Sequence, residues 1–264
     1  MEHIWQILIQ FVFRVTFGVA LAIGVTPPKL VTSGYYRIHL WVLLGLNTFA
    51  ALVLYSQGTA LNAPLADYTV TLGFAIGLAV ASYAGSVLWL YEKKSAGQWL
   101  LFGLALTGLT TAALATPWND RMSGLGLLLA MADLGSSGLL LGVTLAAMFL
   151  GHWYLNTPSM HLLPLKRLVA LMAIAIVIRT LLCATGLALQ ISYGQPLEFL
   201  SWVFVGMRWF SGLLGTLMMA MLSWQTLKVP NTQSATGILY AGVILAFIGE
   251  LTSQLLSVDA LYPL

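Results

Sequence analysis

The chain is built from long, continuously apolar runs separated by short polar breaks. Eight runs stand out, roughly Ile4 to Val25, His39 to Tyr55, Tyr68 to Tyr91, Gln98 to Ala115, Leu125 to Tyr154, Leu168 to Ile191, Leu200 to Trp224 and Thr236 to Val258. A membrane-crossing helix takes about 20 mostly apolar residues. No run shows the alternation in steps of two that marks an outer-membrane strand. The expected fold is therefore an all-α integral membrane protein, a bundle of about eight transmembrane helices in one polytopic domain over residues 1–264. The fifth run is long enough to tilt or to extend past the bilayer. Turn-forming residues fill the breaks: Thr26-Pro27-Pro28, Asn62-Ala63-Pro64, Thr116-Pro117-Trp118-Asn119, Asn156-Thr157-Pro158 and Val229-Pro230-Asn231. The first residues, MEHIWQIL, lack the basic stretch of a secretory signal, so the first run is read as a retained span.

Composition turns this pattern into an exclusion. Only 7% of the 264 residues are charged and 59% are hydrophobic, whereas a soluble domain carries about 25% charged residues to cover its surface. A soluble globular protein and a disordered one are both excluded. Eight spans use about 160 residues, which leaves loops too short for a soluble catalytic domain. No phosphate loop, GxSxG elbow or HExxH motif occurs. Cys183 is the single cysteine, so no intrachain disulfide can form.

Charge then gives a sidedness. The first, third, fifth and seventh loops hold Lys29, Arg37, Lys93, Lys94, Lys166, Arg167 and Lys228, and the remaining loops and termini hold only Arg121. Basic loops stay in the cytoplasm, so both termini are expected on the outer side, most naturally of a bacterial inner (plasma) membrane. The net charge of +3 follows from this bias and points to no nucleic-acid partner. A weak repeat is also visible. Thr-Pro pairs at Thr26-Pro27 and Thr157-Pro158 follow the first and fifth spans, and each precedes a basic residue, Arg37 or Arg167. Two parallel four-helix halves, 1–131 and 132–264, would account for it.

Polar residues at membrane depth carry the chemical signal. Counting about 1.5 Å per residue, Arg14, Asp133, Arg179, Arg208 and Glu250 fall in one layer of the middle to outer bilayer, from five different spans. Ionisable groups there are costly and normally face a bundle interior with partners. His3, Gln6, Gln10 and Arg14 form a stripe at helical spacing; Asp133 shares a face with Ser136 and Ser137, Glu250 with Gln254, and Arg208 with Ser211 and Gly212. Asn47 reaches similar depth. In the functional reading Asp133 and Glu250 are catalytic groups that exchange protons, and Arg14, Arg179 and Arg208 bind a ligand. In the structural reading they form ion pairs that fix helix register. Three arginines against two acids leave one positive charge over.

Histidines lie near the opposite face. His39 and His152 are candidate axial ligands of a haem b, with nearby bases for its propionates, although no metal-ligand spacing supports them. His152, Trp153 and Tyr154 form a second candidate contact for a planar ligand; an aromatic belt explains Trp and Tyr there equally well. Gly73, Gly77, Ala81 and Gly85 on the third span, and Gly138 and Gly142 on the fifth, are expected to let backbones approach closely.

The two-by-four plan loosely resembles the quinone-handling membrane subunits of polysulfide-reductase type; no motif carries the match, and no residue role is transferred from it. The leading expectation is a membrane subunit of an electron-transfer complex that handles quinone or quinol, with proton movement or haem b, and with partner redox subunits supplying electrons. The alternatives are a small-anion transporter or channel using the Arg/acid cluster, and a structural membrane subunit of a larger complex.

Overall fold

The computed structural model describes residues 2–61, 68–116, 124–157, 160–193, 197–229, 231–257, 260 and 262–264. Its helices are α1 (Glu2–Gly24), α2 (Ser33–Leu61), α3 (Tyr68–Leu90), α4 (Lys94–Leu114), α5 (Gly124–Asn156), α6 (Leu163–Tyr193), α7 (Phe199–Met207), a π-helical segment (Arg208–Gly215), α8 (Thr216–Thr226) and α9 (Thr232–Leu256). α7, the π segment and α8 run on as one span, Phe199–Thr226. Among the described residues eight helices are long and apolar enough to cross a membrane. The chain is an all-helical integral membrane protein, and its outward apolar side chains meet lipid.

Several helices outrun their apolar runs. α2 starts at Ser33, ahead of the run that opens at His39. The extra turn is held by aromatic packing: Tyr36 stacks on Trp89 with ring centroids 3.8 Å apart and its hydroxyl donates to the Thr26 carbonyl at 2.8 Å. α6 opens with Pro164 in its first turn, where a missing N–H leaves no helical bond unmade. α9 is capped by Asn231, whose side chain accepts from the Ser234 N–H at 3.0 Å. Between α3 and α4 the chain turns through Glu92 at φ 54°, in the left-handed region.

The chain divides into two compact units, Met1–Pro117 and Trp118–Leu264. A cut at 131/132 would pass through the continuous helix α5. In the first unit α1 packs on α2 and α4, and α3 packs on α2 and α4. In the second, α5 packs on α6 and α9, and the Phe199–Thr226 span packs on α6 and α9. Each unit is thus a ring of four spans with the same order of neighbours.

Small residues set the close crossings, but not all those expected. A Cβ added to Gly108 would lie 3.0 Å from the Phe17 backbone nitrogen, so α1 and α4 touch main chain to main chain. One at Gly85 would meet Leu100 at 2.7 Å. Gly73 and Gly77 have nothing within 4 Å and are exposed, so the third-span ribbon packs at its Gly85 end only. Spacing defines a helix face; it does not say what that face meets. Asn62-Ala63-Pro64, Pro117 to Arg121, Pro158, Pro230 and Val258 lie outside the described residues, as does the side chain of His3.

Candidate functional site: an arginine–carboxylate network in the second unit

Four of the five ionisable residues predicted in the membrane layer come together in the second unit. Arg179 on α6 is the hub. Its Nε and Nη2 donate to the two carboxylate oxygens of Glu250 on α9, at 3.1 and 2.9 Å. Its Nη1 donates to the carboxylate of Asp133 on α5 and to Ser136 Oγ at 3.2 Å. Arg208, the first residue of the π segment, donates from Nη1 to Glu250 Oε1 at 2.9 Å and to the Gly249 carbonyl at 3.0 Å, and from Nη2 to Cys183 Sγ at 3.1 Å. Arg179, Arg208 and Glu250 have no solvent exposure and Asp133 only 5%. Two guanidiniums and two carboxylates give the group no net formal charge. Buried ions persist only when paired and hydrogen-bonded in this way.

Local backbone explains how Arg208 arrives. A Cβ at Gly212 would lie 2.5 Å from Gly249 Cα, so the π segment rests directly on α9. The wider π turn rotates the residues on either side relative to an α-helix, and such segments recur at functional sites. Arg208 thereby reaches both the side chain of Glu250 and the carbonyl one residue before it.

A second layer closes the network. Ser253 Oγ accepts from Arg179 Nη2 at 3.3 Å and donates to the Leu264 carbonyl at 2.8 Å. Leu264 is buried with Val205 and Leu256, and Pro263 lies so close to Gly186 that a Cβ there would collide with its carbonyl. Some buried polar atoms have no partner among the described residues: Arg208 Nε, Trp209 Nε1 and both amide atoms of Gln254.

Beside the network a cavity of about 280 Å³ is lined by Thr180, Trp209, Phe210, Leu213, Leu214 and Leu217. Thr180 and Trp209 directly follow Arg179 and Arg208 in sequence, so the slot lies at the network's depth. Phe210 and Leu214 are exposed on the helix surface, where a bilayer would surround them, so the slot opens sideways.

Arg14 belongs to the first unit and is buried on α1 with Gln6 and Gln10. Gln10 Nε2 donates to the Ala115 carbonyl at 3.0 Å. Asn47 pairs with Thr16 and with the Leu43 carbonyl, at 3.1 and 2.8 Å from its Nδ2.

The histidines divide between units. His39 is buried on α2, bonded through Nδ1 to the Tyr35 carbonyl, with its ring 4.3 Å from that of Tyr35. His152 is exposed and lies edge-on to Tyr240, its Nδ1 3.4 Å from the Tyr240 hydroxyl. Trp153 is half-buried, whereas Tyr154 is buried and donates to the His161 carbonyl, tying down the chain after α5. Among the described residues no three His, Cys, Asp or Glu side chains gather as a metal site.

Sequence reasoning missed Cys183, Ser253, Gly249 and Trp209. Helical spacing held a signal for two of them: Cys183 is one turn from Arg179 and Ser253 one turn from Glu250. No family model matches the chain, and neither the curated proteins nor the solved structures contain a match to it.

Proposed function

We propose that the chain is a membrane subunit of an electron-transfer complex whose second unit binds a lipid-dissolved quinone or quinol. One observation carries this reading: the slot that opens sideways at the depth of the Arg179–Arg208 network. A quinone reaches its site through lipid, needs an apolar wall for its ring, and needs donors for its carbonyl oxygens. Phe210, Leu213 and Leu217 supply the wall, and the Trp209 indole N–H, without a partner among the described residues, is the donor beside it; the Thr180 hydroxyl donates to the Ile176 carbonyl at 2.8 Å and offers only its oxygen. Arg208, one residue away, would stabilise negative charge delivered to the head group, and Glu250 and Asp133 balance it in the resting state. Partner redox subunits would bring and remove the electrons. The basic odd loops favour a bacterial inner membrane with both termini outside.

A second reading rests on the pairing itself. Four groups that cancel one another within one unit are what a structural subunit of a larger complex needs to lock its helices. Anion transport is favoured less, because this network carries no surplus positive charge.

The test is extraction of the protein purified from its native membrane, with an oxidised-minus-reduced spectrum. About one quinone per chain, lost in Trp209→Phe and in Leu213→Trp while the thermal midpoint holds, supports the quinone reading. Quinone-free protein without a redox band removes it and leaves the structural one. A haem b band lost in His39→Phe or His152→Phe would add that cofactor.

A further inference from the structure

We infer that each unit carries a site for an anionic phospholipid, in the furrow between its second and third membrane spans. In the first unit two cavities of about 300 and 360 Å³ share Tyr83. They are consecutive stretches of one furrow between α2 and α3. The first is lined by Arg37, Trp41 and Ser86, and the second by Leu44, Ala51, Ile76 and Ala79. Polar groups gather at the Arg37 end, and beyond Tyr83 the lining is apolar except for Thr48. Trp41 and Tyr83 meet edge to face at 6.0 Å and form one wall. From Arg37 to Ala51 the furrow runs about 21 Å. That length takes a head group at the interface and acyl chains through one leaflet, about half of the roughly 30 Å hydrocarbon core.

The second unit repeats the plan. A cavity of about 430 Å³ between α6 and α8 is lined by Val169, Ala173, Ile174, Met221, Trp224 and Lys228. Again a cation and a tryptophan stand at one end and small or aliphatic residues form the trough. Both cationic ends carry further bases: Lys29, Lys93 and Lys94 with Arg37, and Lys166 and Arg167 with Lys228. Glu92 is the single acid in those odd loops. An uncharged quinone head would leave Arg37 and Lys228 unused, whereas a phosphate engages them; basic pockets between helices recognise anionic head groups in this manner.

Full-length protein, delipidated in detergent, is titrated with phosphatidylglycerol or phosphatidylcholine of equal chain length and read by native mass spectrometry. Wild type is expected to retain two phosphatidylglycerols and to prefer them at least tenfold over phosphatidylcholine. Arg37→Gln and Lys228→Gln each lose one, and the double variant loses both. Arg121→Gln, the one loop base outside the odd loops, keeps two. Ala79→Trp, which fills the first trough, also loses one with Arg37 intact. Equal retention of the two lipids, or two phosphatidylglycerols still bound in the Arg37→Gln/Lys228→Gln double variant, overturns the proposal. Both cations are exposed, so their substitution leaves the fold intact.

Discussion

Gly212 and Gly249 face each other with no side chain between them, and their contact sets the reach of Arg208. Any Cβ on either glycine would push the π segment away from α9, and the guanidinium would then fall short of Glu250 and the Gly249 carbonyl. Packing and charge are coupled here: a contact between two glycines holds an ion pair in place.

Gly249→Ala is therefore expected to destabilise the protein by about 1–3 kcal/mol, the usual cost of overpacking. Gly77→Ala, with nothing within 4 Å, should stay within about 0.5 kcal/mol. Thermal unfolding in one detergent compares the two, and equal midpoints would contradict the crossing described.

Removing one partner of a buried pair costs about 3–5 kcal/mol. Glu250→Gln leaves two arginines facing one carboxylate, and it should be the most damaging neutral substitution in the network. Asp133→Asn should cost less, because Asp133 pairs with Arg179 at the slightly exposed rim. Combining Glu250→Gln with Arg208→Gln restores charge balance, so the double variant should lose less than the two single losses added. A double-mutant cycle on unfolding free energy decides this.

Gly186→Ala should dislodge Pro263 and open the contact that carries the Leu264 carbonyl to Ser253. Amide hydrogen exchange at Tyr262 and Leu264, on either side of Pro263, should then speed up while α1 to α4 keep wild-type protection. Unchanged exchange there would show that the segment is held by other means.

Glu92 adopts a left-handed conformation that glycine accepts without steric cost. Glu92→Gly is expected to stabilise the α3–α4 turn by about 0.5–1 kcal/mol. A lower thermal midpoint would mean that the carboxylate makes a contact worth more than the strain.

Hydropathy made the eight spans legible, and a count of rise per residue put Asp133, Arg179, Arg208 and Glu250 at one depth. Depth is a single coordinate, however. Which acid meets which arginine depends on rotation about each helix axis, and in the Phe199–Thr226 span the π turn resets that rotation. Nothing in Arg208-Trp209-Phe210-Ser211-Gly212 announces a π segment, so Ser211 looked like a companion of Arg208 while Cys183 and Gly249 did not. The unit boundary was also hidden. Turn motifs repeat with a period set by the loops, whereas compactness follows packing, which starts a new unit ahead of α5.

The order of synthesis gives the network a further meaning. Asp133 emerges before Arg179, so the fifth and sixth spans can enter the bilayer as a neutral pair. Arg208 follows with no acid of its own, and Glu250 comes 42 residues later. An arginine alone at the centre of a span costs about 2.5–3.5 kcal/mol on the insertion scale. The seventh span should therefore linger at the insertion machinery until the eighth arrives, and a nascent chain stopped between them should be an early target for membrane proteolysis.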